Sequence, residues 1–476
     1  MRLPYKTIGL NVVEFARIPS ALGILANPTT PDSSRTAILD NVEANDLRAN
    51  PIQNSMHPLI RNLRRSGTLA SPTTVTSILI LMFGAMLSNL TMPLKQGHAS
   101  AYSETVLFQE DTDGFKLYRI PGIVVTSNGT ILAYCEARKF TEADRGEIEI
   151  HMRRSTDGGR SWTKATQIAH HGPRLPRNPH MPEKKKSKDM GGPGEQTVNN
   201  PVAIACRDGT VHLLYCVEYM RCFTIRSLDH GENWSEPVEI TAAFDSLRDR
   251  CQWQVIATGP GHGIQLRNGR LLAPFWMTDY EKRTPMHHAA GVVYSDDQGQ
   301  SWKTGDIAVP AGGESNLVEL SDGQVLFTSR NGDTRNRRMM TLSPDGVSRW
   351  STPKVIDELL EPGCMAGLIS HPGEGGEGSN GKSCLLYSAP FTTERAHQAR
   401  RDVTIHLSQD DGRTWPSRKT IFHGPSAYSD LAVLPNGQVL CFYEQGVEAR
   451  YGDHGRPWAY RRLVVAKFDL AWLQNE

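Results

Sequence analysis

Ser155–Trp162 reads STDGGRSW, and the same turn returns as SLDHGENW at Ser227–Trp234, SDDQGQSW at Ser295–Trp302 and SQDDGRTW at Ser408–Trp415. Each copy follows a short apolar or alternating stretch that reads as a strand. The residue types give the motif a mechanical meaning. An Asp side chain caps backbone N–H groups in a tight turn, Gly supplies a positive φ, and Trp packs beneath the hairpin. A fifth, degenerate copy, SPDGVSRW at Ser343–Trp350, fills the widest gap, and the intervals become 72, 68, 48 and 65 residues with a mean near 63. Residues 102–476 number 375, which that spacing divides into about six units. Radially repeated four-stranded sheets form a propeller, so the predicted fold is all-β, a six-bladed β-propeller; a solenoid fits the long, irregular spacing less well.

The two ends of that region suit a closed ring. ETVLFQ at Glu104–Gln109 and RLVVAKFDL at Arg462–Leu470 both read as strands. Sharing one blade, with the final strand completing the first blade, they would leave few free edges. The 52 basic residues balance 51 acidic ones, which gives no electrostatic footprint for nucleic acid, and the 42 glycines and 29 prolines suit a turn-rich chain. The expected ligand is a small molecule or glycan, with no cofactor and no metal site. Eight cysteines are too sparse for a disulfide scaffold and lack zinc spacing. They read as buried small apolar residues, although Cys216 and Cys222 are near enough for a local bridge.

Residues 1–101 read as a leader. The apolar run Val75–Leu90 is short for a membrane span, is preceded by Arg61, Arg64 and Arg65, and is followed by Ala99, Ser100 and Ala101. That is the layout of a secretory signal over about residues 56–101, with initiation at Met56 and a mature start near Tyr102. A secreted or periplasmic protein is expected. Left uncleaved, the same segment would be a membrane anchor.

A further set of segments runs in order along residues 104–470: YRIPG with Arg119, EARKFTEAD with Arg138 and Asp144, VNNP with Asn200, GPGHGIQ from Gly259, GGESNLVEL with Glu314, TSRNG with Arg330, RRDVT with Arg400, AYSDL with Tyr428, and YEQG with Glu444. In this the chain resembles the sialidase (neuraminidase) family, most of all bacterial secreted and animal-type exo-α-sialidases, and the turn motifs resemble that family's Asp boxes. The resemblance implies a retaining exo-α-sialidase acting on terminal sialic acid of glycoproteins, gangliosides or oligosaccharides. It implies that Arg119, Arg330 and Arg400 form an arginine triad, Glu444 holds Arg119, Asp144 is the acid/base, Glu314 and Tyr428 are base and nucleophile, and Arg138 and Asn200 line the sugar pocket. Arg401, Glu142 and Glu147 are rivals if the register shifts by a few residues.

The chemistry of these residue types agrees with that reading. Three guanidiniums repel one another unless an anion neutralises them, and a carboxylate accepting forked hydrogen bonds fits best. Sialic acid carries its carboxylate on the anomeric carbon, so a neutral phenol avoids the repulsion that an acidic nucleophile would meet. A general acid at Asp144 calls for a partly desolvated site that raises its pKa. A catalytically idle glycan-binding propeller could dispense with Tyr428, Glu314 and Asp144; a trans-sialidase would share them.

Other signals carry less. GEGSNGKS at Gly376–Ser383 satisfies a phosphate-loop pattern, but the strand-like CLLYSA follows it where a helix is needed, so it reads as a loop. GPGHGIQ lacks the spacing of a dinucleotide fingerprint. His170–Thr197, with Lys184, Lys185, Lys186 and Lys188, reads as a solvated insertion or a lid.

Overall fold

The computed structural model describes residues 102–476 apart from 141, 181–193, 285, 333, 334, 374–382, 393–399, 452–456 and 476. The leader with its apolar run, the lysines of the 170–197 insertion and all but the end of the phosphate-loop-like stretch lie outside these residues. No helix among the described residues is long and apolar enough to cross a membrane.

Glycine-rich turns between short apolar runs make antiparallel meanders, and the chain lays these down one after another. The first sheet holds Leu117–Val125, Ile131–Arg138, Ile148–Ser155 and Thr166–Gln167. The second holds Val198–Ala205, Val211–Val217, Arg221–Ser227 and Val238–Glu239, with Gly261–His262 added in parallel. Val255–Thr258, Leu271–Thr278, His288–Ser295 and Lys303–Pro310 form the third, joined by Ile264–Gln265, and Gly312–Glu319, Val325–Asn331, Arg337–Ser343 and Lys354–Leu360 form the fourth. The last sheet has seven strands, from Gly367–His371 through Cys384–Pro390, Arg401–Ser408, Ser417–Val433, Val439–Tyr451 and Pro457–Phe468 to Tyr102–Gln109.

Two observations make the arrangement propeller-like. Both faces of the second strands of the first two sheets are buried and mostly apolar, as sheets stacked on both sides require. The apolar clusters then lie between sequence neighbours: Leu132 and Tyr134 with Leu213, Leu214 with Phe275, Val292 with Phe327, Leu326 with Tyr387, and Ile405 with Phe468. A further cluster joins Phe442 and Val465 of the last sheet to Ile123 and Ala133 of the first, so the stack returns on itself. The chain ends meet as the sequence suggests, though in the opposite sense. Tyr102–Gln109 is taken up by the last sheet, pairing with Pro457–Phe468, so the first strand completes the final sheet.

The repeated turns have one hydrogen-bond pattern. In the first, Gly159 N donates to Ser155 Oγ at 2.9 Å, Arg160 N and Ser161 N donate to Asp157 Oδ1 at 3.0 and 2.9 Å, and Ser161 Oγ donates to Asp157 Oδ2 at 2.6 Å. The degenerate copy does the same with Ser343, Asp345, Val347 and Ser348. Gly159, Gly231, Gly299, Gly346 and Gly412 all have φ between 74° and 84°. All eight cysteines are buried and unbridged, with the Sγ atoms of Cys216 and Cys222 3.1 Å apart across a strand pair.

Candidate active site

Strand register puts the turns and the predicted site residues at opposite ends of the sheets. In the first sheet Arg138 stands opposite Leu117 and Ile148, whereas Ser155 stands opposite Ile131 at the far end. At the Arg138 end the inner strands bulge. Register slips between Arg119 and Gly122, Asn199 and Val202, Gly312 and Ser315, and Ser426 and Ser429. The local cause is legible in two of them. Pro121 and Pro201 cannot donate to the ladder, and the residues before them, Ile120 and Asn200, have φ of 61° and 52°. A Cβ on Gly122 would stand 2.2 Å from Tyr134 Cε2, so the first bulge needs glycine there. Such bulges re-aim side chains, and these four carry Arg119, Asn200, Glu314 and Tyr428.

Tyr428 is the meeting point. Its Oη donates to Glu314, with Oε1 at 2.5 Å and Oε2 at 2.7 Å, and accepts from Arg330 Nη1 at 3.1 Å. Arg330 Nη1 also donates to Glu314 Oε2 at 2.7 Å. The guanidiniums of Arg119 and Arg400 lie 5.2 and 5.3 Å from the centre of the Tyr428 ring. Burial, and then the charge of Glu314, push the Tyr428 phenol well above its usual pKa against the pull of Arg330 and Arg400, so it is neutral at rest.

Glu444, fully buried, holds Arg119 in a fork: Nε donates to Oε1 at 3.0 Å and Nη2 to Oε2 at 3.3 Å. The same carboxylate accepts from Ile120 N and Tyr428 N, both at 3.0 Å, which ties two bulges together. Arg400 donates to Tyr460 Oη at 2.9 Å and to the Gly363 carbonyl at 2.6 Å. Its neighbour Arg401 points outward to Asp402 and Glu448. Arg138, with no exposed surface, donates to Glu136 Oε2 from Nη2 at 2.8 Å, and Glu136 Oε1 accepts from Asn200 N at 2.9 Å. Asn200 thus contributes through its backbone, while its side chain is buried against Asn199.

Asp144 meets both sides of this cluster. Its Oδ1 lies 3.0 Å from Arg138 Nη2 and 3.3 Å from Arg119 Nη1. Glu147 is instead paired with Arg174, and Glu142 offers its carbonyl to Arg138. The expectation of a raised carboxyl at Asp144 needs correction. The surrounding protein walls do oppose its charge, but Arg138 and Arg119 outweigh them and hold it well below the usual carboxylate range. Its side chain is 67 % exposed, so desolvation is incomplete while the site stands open.

Two residues escaped the sequence reading. Glu136 was signalled only by its place two residues before Arg138, hence on the same strand face. Tyr460 carried no signal. Two cavities of about 480 and 500 Å³ lie elsewhere, beside Trp253 and Trp302, and none of the clustered residues lines them.

The BNR repeat-like domain matches residues 129–441. A sialidase of Micromonospora viridifaciens is 30% identical over 396 residues, covering 80% of this chain and 56% of its own length. One from Bacteroides fragilis is 27% identical over 364 residues, covering 70% of this chain and 61% of its own. This chain therefore spans under two thirds of either relative. Among solved structures, Hadza microbial sialidase Hz136 shares the fold, with a TM-score of 0.62 at 24% identity over 78% of this chain and 69% of its own.

Proposed function

The chain belongs to the BNR repeat-like domain family and is similar over most of its length to sialidases, and on that premise we propose that it is a retaining exo-α-sialidase with a tyrosine nucleophile. Its substrates are terminal sialosides of glycoproteins, gangliosides or oligosaccharides. The ring has six blades, the seven-stranded sheet counting as two that share Ser417–Val433, whose first half pairs with Arg401–Ser408 and second half with Val439–Tyr451.

The observation that carries the reading is the bonded trio of Tyr428, Glu314 and Arg330 beneath the guanidiniums of Arg119 and Arg400. Three cations around one phenol suit a substrate with its carboxylate on the reacting carbon. That carboxylate takes the triad, and the anomeric carbon comes over Tyr428 Oη. Glu314 accepts the phenol proton as the tyrosyl–sialyl bond forms and the glycosidic bond breaks. Asp144 protonates the departing oxygen, then takes a proton from the water that hydrolyses the intermediate, and the phenol recovers its own from Glu314.

The low resting pKa of Asp144 fits this sequence. When a substrate carboxylate occupies Arg119, part of that arginine's hold on Asp144 is lost, and the sugar excludes water from the carboxyl. Both changes move its pKa upward, so the acid is made ready by the substrate. Release of sialic acid from a fluorogenic α-sialoside, with proton NMR of the fresh product, is the test. The α anomer should appear first; β first, or no release, would end the proposal.

A further inference from the structure

Arg119 and Arg400 have to stay close together and keep their charge for a ligand. Two hydrogen bonds from Arg400 go to neutral oxygens, Tyr460 Oη at 2.9 Å and Gly363 O at 2.6 Å. Arg119 is forked onto Glu444, and its guanidinium lies 3.9 Å from the centre of the Tyr460 ring, nearer than to the Tyr428 ring at 5.2 Å. One side chain therefore touches two guanidiniums in two ways, by its oxygen and by its π face. The strand Pro457–Phe468 brings Tyr460 there, with its neighbour Ala459 in the same small cluster as Ile120, Met365 and Tyr428.

From this juxtaposition we infer that Tyr460 is a positioning residue for carboxylate recognition, holding Arg119 and Arg400 side by side and open to the ligand without itself neutralising either. A carboxylate at this place would pair with Arg400 and compete with the substrate for it. A phenol accepts a hydrogen bond from one arginine and offers ring electrons to the other, and adds no charge. The substrate carboxylate bears the same charge in the ground state and the transition state, so a fault in this support weakens both alike. Tyr460 should accordingly govern KM rather than kcat.

This rests on the sialidase reading, and two variants separate the roles of ring and oxygen. Tyr460→Phe keeps the ring and loses the bond to Arg400; KM for an aryl sialoside and the dissociation constant of an unsaturated sialic acid analogue should each rise about tenfold, with kcat within about threefold of wild type. Tyr460→Leu loses both contacts and should raise KM by a further several-fold. Were Tyr460 simply packing, Phe would restore wild-type KM and only melting temperature would move with Leu. A second readout needs no turnover. Phenylglyoxal labelling of Arg400 in ligand-free protein, followed by mass spectrometry, should be faster in Tyr460→Phe than in wild type. Labelling and analogue affinity both unchanged in Tyr460→Phe would overturn the assignment. An inactive wild-type protein would instead sink the sialidase reading, leaving Tyr460 to stand or fall on labelling alone.

Discussion

The repeated turns and the Tyr428 cluster occupy opposite ends of the same sheets and are built in opposite ways. A turn such as Ser155–Trp162 makes its defining hydrogen bonds between residues two to four apart. The cluster is made of bonds between distant residues, with 325 positions from Arg119 to Glu444 and 114 from Tyr428 to Glu314. Turns are copied along the chain and each is dispensable in part; the cluster exists once, and its members depend on one another. The turns bear on stability alone, whereas the cluster bears on the chemistry as well.

Tyr428→Phe should break that contrast most visibly. It removes one oxygen and should cut turnover on the order of 10³-fold or more, while melting temperature and analogue binding stay close to wild type. Glu314→Gln should be similarly crippled, and the double variant no worse than either, because the pair acts as one unit. Turnover losses that simply multiplied would argue against a shared step.

Glu444→Ala tests whether the site end also bears on folding. It leaves Arg119 buried without its fork and frees the two N–H groups of Ile120 and Tyr428. Breaking a buried pair of this kind costs about 3–5 kcal/mol, to be read in urea unfolding, and activity should fall with it. A variant with unchanged stability would mean that the bulges hold themselves.

At the turn end the effects should be smaller and separable. Asp410→Ala removes the acceptor for Thr414 N and its hydroxyl, a loss comparable to that of a helix N-cap, about 1 kcal/mol by thermal denaturation. Its kcat/KM should stay within about twofold of wild type. A much larger loss of activity than of stability would show that the two ends communicate.

The smallest effect is in acid. Bonds from Ser301 and Ser295 hold the Asp297 carboxyl down to about 2, and Asp157, Asp229, Asp345 and Asp410 are lowered too. A carboxyl lowered in the folded state stabilises in full above the unfolded value near 4, and that contribution is lost as pH falls from there through the folded value. Melting temperature should therefore drop between about pH 4 and pH 2, less steeply in Asp297→Asn. Equal slopes would remove the turn carboxyls from the acid response.

Legibility followed the same division. Every turn could be read from Ser, Asp and Trp at fixed offsets with Gly three or four residues after the Ser, because the atoms that satisfy one another lie within one hairpin. Of the site, the bulges were half-written in Ile120–Pro121 and Asn200–Pro201, where proline breaks the ladder. Asn200 was expected to line the pocket, but nothing in the sequence indicated that its backbone N–H braces Glu136. Tyr460 had no signature, since one tyrosine in a strand looks like any other until its neighbours across the fold are known.

The sequence by itself determined the hairpin turns, the all-β class and the spacing of the meanders, all of which follow from short-range hydrogen bonding and φ preferences. Tertiary structure alone decided that Arg400 rather than Arg401 enters the cluster, that Asp144 rests low between two arginines, and that Tyr460 supports both Arg119 and Arg400. The physical reason is that a pKa or a guanidinium's orientation depends on charges and rings a few ångströms away in space. Here those partners come from sheets that meet only when the ring closes.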